Sequence, residues 1–184
     1  MAYQLTFFGK ATEQETAAAA MDHVLDAMLE SGPPLLGESL GPPPLQLGEW
    51  SGPETEAVRS FKLATATEDM KPAADYLLLE IHVGMRSIAD TVIAADPDND
   101  HGVWGSDLLA LLTLSGDRPD WPLVQRIWTT LEDLWRVVPW DEVSGFGIAA
   151  KTQLPLQGTP DLTPRACPDP HPSSGPSPQG PRSQ

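Results

Sequence analysis

The sequence predicts an α+β domain: an antiparallel sheet with two helices on one face, in the ferredoxin-like βαββαβ order, with an insertion and a C-terminal tail. Three observations lead there. Apolar periodicity along residues 1–150 switches between two and 3.6 in the order strand, helix, strand, strand, insertion, helix, strand. Two of the segments carry helix-start signals followed by a long apolar stripe. Beyond Lys151 proline, serine and glycine take over, so residues 151–184 are expected to be a disordered Pro-rich tail that cannot offset its ordering entropy. A less regular α+β sandwich is the alternative for residues 1–150.

Tyr3, Leu5 and Phe7 alternate with Gln4, Thr6 and Phe8, a short strand ended by Gly9. Thr12 and Glu15 have capping-box spacing and predict a helix over 13–30, with Met21, Val24, Leu25, Met28 and Leu29 as its buried stripe. Gly32 and Pro33 stop it. Six prolines between residues 31 and 53 then predict a stiff surface connection.

Residues 57–66 alternate as a strand, 68–74 suit a hairpin connection, and 76–83 is the most strand-like run, with Leu77, Leu79, Ile81 and Val83 on one face. The insertion, 85–119, opens with a short helix over 86–95. Leu108 to Leu114 is so apolar that periodicity does not separate helix from strand; Ser106 or Asp107 as a cap tips the reading to helix. Asp120 caps the best-marked helix, with Pro122 in its first turn and Val124, Ile127, Trp128, Leu131, Leu134, Trp135 and Val138 as its apolar face. Pro139 ends that helix, and Val143 to Ala150 reads as a last strand.

Charge narrows the function classes. Residues 1–150 carry 24 acidic and 8 basic side chains, a net −16, whereas 151–184 carry 2 and 3, a net +1. An acidic body is a poor match for phosphates or anionic lipid, so neither nucleic acid nor membrane is expected as a partner; a basic protein is. Met1 to Lys10 lacks the pattern of a secretory signal, and a cytoplasmic location is the default expectation. The single Cys167 forms no disulfide or cysteine zinc site within the chain. Nothing in the residues fixes an oligomeric state.

One stretch gathers chemistry. Asp96, Asp98 and Asp100 alternate, and Asp107 completes a twelve-residue span. These residues stand at the first, third, fifth and twelfth positions of a segment that resembles the calcium loop of EF-hand proteins, which wraps oxygen ligands around a hard cation. The resemblance implies calcium as cofactor, with Gly102 supplying a carbonyl and Val103 at the usual apolar position. His101 stands where that family has its turn-forming glycine, and Asp107 where it has a bidentate Glu. The preferred reading is a solvated acidic turn with no cofactor; the cation site is the alternative.

Glu80 and His82, joined by His23 or His101, are a weaker candidate for acid–base or metal chemistry, and a polar sheet face explains them more simply. Of six tryptophans, Trp128 and Trp135 read as core. Trp50, Trp104, Trp121 and Trp140 flank turns or helix ends, as lids on the core or as anchors; Trp104, Trp121 and Trp140 are the candidate partner-binding residues. Pro178 and Pro181 have PxxP spacing before Arg182, which a proline-rich linker explains. The function expected is therefore a small acidic, non-catalytic protein-binding domain, of the inhibitor or toxin-immunity kind. A cation-binding module or metal-dependent enzyme using residues 96–107 is the alternative.

Overall fold

The computed structural model describes residues 3–30, 32–41 and 57–148. All of them belong to one unit, Met1–Leu154. The expected tail, Trp50, and most of the proline-rich stretch before residue 57 lie outside the described residues.

The elements are β1 (Tyr3–Gly9), α1 (Ala17–Glu30), β2 (Leu35–Leu40), β3 (Val58–Thr65), β4 (Leu77–Val83), α2 (Met85–Ala95), β5 (Leu108–Leu114), α3 (Trp121–Trp135) and β6 (Val138–Trp140). The six strands form one sheet in the order β2-β3-β4-β5-β1-β6, and every neighbouring pair is antiparallel. The α+β class and the two helices sharing one face hold, but the sheet is larger than the ferredoxin-like unit and ordered differently.

The main cause is β5. Its run LLALLTL, expected to be helical, is a strand between β4 and β1, where both faces are covered and the usual apolar–polar alternation disappears. Leu108, Ala110, Leu112 and Leu114 face the core under α1 and α3, while Leu109 faces the opposite side. The presumed insertion thus supplies a central strand.

Other boundaries shift for local reasons. Helix α1 begins at Ala17 because Thr16, not Thr12, caps it: Thr16 Oγ1 accepts from Ala19 N at 3.1 Å. Thr12 instead hydrogen-bonds Glu15 in the preceding turn. Part of the expected proline-rich connection is strand β2, which pairs with β3 before the prolines of 42–44. At the other end α3 stops at Trp135 with Arg136 in the left-handed region. Among the described residues the last strand is Val138–Trp140, and the described part of the expected 143–150 strand, residues 143–148, is not strand; Pro139 is tolerated because β6 is an edge strand. Residues 142–144 and 146–147 form turns.

Two apolar layers hold the sheet. On one face Leu5, Phe7, Leu79, Ile81 and Leu112 meet Met21, Val24 and Met28 of α1 and Val124, Ile127, Trp128 and Leu131 of α3. Phe7 meets Trp128 edge-on, with ring centroids 5.3 Å apart. Asp120 joins this layer to the sheet by accepting from Leu123 N at 3.1 Å, as the expected helix cap, and from Thr65 N at 3.2 Å. The opposite face carries a smaller cluster of Phe8, Ile88, Val92, Val103 and Leu109, and α2 is its lid. Among the described residues no helix is long and apolar enough to cross a membrane.

Candidate functional site: the α2 groove and its acidic loop

Helix α2 carries two apolar stripes. Ile88 and Val92 are buried against the sheet. Met85, Ala89, Ile93 and Pro97, each four residues from the last, line up beside them and are all exposed. Met85 is 61 % and Ile93 57 % accessible, values that set them apart from the core stripe one residue away. The loop after α2 folds back along the second stripe and leaves a groove of about 400 Å³, lined by Met85, Ala89, Val92, Ile93, Pro97, Trp104, Gly105 and Ser106. Apolar groups dominate its walls, and Trp104, 51 % accessible, forms one side.

The loop is held by hydrogen bonds of its own. The buried Asp96 carboxylate accepts from Asp100 N and His101 N, both at 2.9 Å, and lies 3.4 Å from His101 Nδ1. Burial opposes the charge on Asp96, but those hydrogen bonds and the neighbouring imidazole outweigh it and hold the carboxyl below the usual range. Trp104 Nε1 donates to Asp96 O at 2.7 Å, and Trp104 N donates to Asn99 Oδ1 at 2.9 Å. Asn99 is in the left-handed region at φ 58°, which its short amide tolerates. His101 stacks on Phe146 with centroids 4.0 Å apart, tying the loop to the turn after β6.

The four aspartates are not gathered by this arrangement. Asp96 is turned onto loop amides, and Asp98 and Asp100 are exposed. Asp107 is bound into the sheet end, its Oδ1 accepting from Ala11 N at 2.7 Å and its backbone bonded to Gly9 and Gly84. Positive φ angles fall at Asn99, Gly102 and Gly105, so the backbone turns elsewhere than at the sixth position of an EF-hand loop. Among the described residues no three His, Cys, Asp or Glu side chains are placed to share a metal ion.

The other candidates separate in the same way. Glu80 Oε1 accepts from Ser60 Oγ at 3.3 Å, and His82 lies on the same sheet face with its Nε2 buried and unbonded among the described residues. Burial pulls the His82 pKa down, against the opposing pull of Glu80. His23 pairs instead with Glu15 at 3.1 Å, and His101 with Asp96, so the histidines do not converge. Trp121 is half-buried near Tyr3, and Trp140 is half-buried against the smaller core cluster. Of the three tryptophans expected as anchors, Trp104 lines the groove and is the exposed one.

Residues 85, 88, 89, 92 and 93 are all apolar and keep the i, i+3, i+4, i+7, i+8 spacing of an ordinary core-facing stripe, so the sequence itself does not mark Met85, Ala89 and Ile93 as the part left open. No family model, no curated protein and no solved structure matches the chain.

Proposed function

We propose that this chain is a small acidic, non-catalytic protein-binding domain, of the kind an inhibitor or toxin-immunity protein represents, and that it binds through the α2 groove. The observation that carries the reading is the exposed stripe Met85, Ala89, Ile93 and Pro97 facing Trp104 across an apolar groove. Large apolar side chains and a tryptophan in one patch are what protein-binding surfaces use as anchors. The self-bonded loop supports it further, because a wall that is already ordered loses little entropy on binding.

The test is affinity capture with the full chain and with the double variant Ile93→Ser, Trp104→Ala, each shown to be folded by circular dichroism. One stoichiometric protein held by the natural chain and released by the variant is the expected result. Equal retention by both would remove the groove as the binding site.

A further inference from the structure

The charge around the groove narrows its occupant. Between residues 85 and 107 three exposed aspartates, Asp90, Asp98 and Asp100, stand against one exposed arginine, Arg86, while Asp96 and Asp107 are taken up by backbone amides. Asp90 on α2 and Asp98 and Asp100 on the loop are exposed on the two elements that frame the groove. We infer that the groove takes a basic protein segment, with one apolar side chain seated between Ile93 and Trp104 and Lys or Arg residues on its flanks meeting Asp90, Asp98 and Asp100. The inference rests on the groove being a docking site, and it adds the chemistry of what docks.

An apolar groove alone would accept many segments. The exposed carboxylates on the helix and loop that frame it discriminate among them: they attract cationic flanks, repel anionic ones and raise the association rate of the former. The same charge works against a second copy of this chain as occupant, since each copy carries −15. Exposed carboxylates are well hydrated and screened, so their effect fades with salt while the apolar contribution persists.

Two synthetic peptides test this, identical in one central Leu and free of tryptophan, one flanked by lysines and the other by glutamates. Each is titrated into the full chain by isothermal titration calorimetry, a readout that does not depend on Trp104, at low salt and at ~0.5 M salt. The lysine peptide should bind about tenfold more tightly than the glutamate peptide at low salt, with the gap closing at high salt. Replacing Asp90, Asp98 and Asp100 together by Asn should remove most of that gap, and Ile93→Ser with Trp104→Ala should abolish binding of both peptides.

The failures are distinguishable. If both peptides bind equally and the groove variant releases both, the docking reading stands and the basic occupant falls. If neither binds, or binding survives the groove variant, the docking reading falls with it. A concentration-dependent dimer in sedimentation, lost on Ile93→Ser with Trp104→Ala, would assign the groove to a second copy and overturn the inference.

Discussion

The phenol of Tyr3, on the first strand, donates to Asp141 Oδ2 at 2.9 Å, and the same carboxylate accepts from Val143 N at 2.7 Å and Ser144 N at 2.5 Å. One buried aspartate thus fixes the turn after β6 to β1. Burial opposes its charge, yet the hydrogen bonds from Ser144, Tyr3 and Val143 hold Asp141 below the usual carboxylate range. Burial and the facing carboxylate push Tyr3 up to about 12.

The signs of the two shifts give opposite pH limbs. The lowered Asp141 contributes stability that is complete above the unfolded value of about 4 and is lost as pH falls through its folded value. The raised Tyr3 contributes stability that is complete below about 10 and is lost as pH rises towards 12. Tyr3→Phe should cost about 1 kcal/mol at neutral pH and flatten the alkaline limb, measured as urea midpoints across pH.

Asp96→Asn should loosen the groove wall. The amide keeps the shape but loses the charge that two backbone N–H groups and His101 share. The expected outcome is a less stable fold with faster exchange of the Asp100 and His101 amides, read by hydrogen exchange; unchanged protection would mean that the loop does not depend on this carboxylate.

Gly116→Ala meets two obstacles. Its φ of +99° is unfavourable for any side chain, and an added Cβ would lie 2.3 Å from Asp75 Oδ2, which accepts from Arg118 N. The substitution should cost about 2 kcal/mol or more by chemical denaturation. Combined with Asp75→Ala the losses should be less than additive, because truncating Asp75 removes the atoms the new Cβ strikes.

Ile93→Ser should leave stability within about 0.5 kcal/mol, since its side chain is exposed. Trp128→Ala, in the main core, should cost about 3–5 kcal/mol. Similar losses at both sites would place Ile93 in the core and remove it from the groove.

Where one face of an element is wet, the sequence was easy to read. β3, β4 and α3 as far as Trp135 keep the expected spacing, although Leu134 is exposed and Val138 falls in β6, and Asp120 caps α3 as its position implied. β5 lost its signature because it is central, and β6 lost its to a proline that an edge tolerates. For the site, the acidic spacing at 96–107 was conspicuous, but spacing alone does not say whether a carboxylate faces outward or, like Asp96, satisfies its own loop. Trp104 was identified; the stripe it faces required knowing which side of α2 the sheet covers.

The sheet order also sets a timetable for the nascent chain. Tyr3 pairs with Leu114, so β1 finds its first neighbour only after β5 has left the ribosome. At about 5–20 residues per second that wait lasts roughly 5–20 s, during which Leu5, Phe7 and Phe8 have no strand beside them. The consecutive strands β2, β3, β4 and β5 can pair as they emerge, whereas β1 joins on β5 across the length of the domain and β6 then adds to β1 as the edge. High contact order of this kind slows folding. It leaves the apolar β1 unpaired for longer than any other strand described.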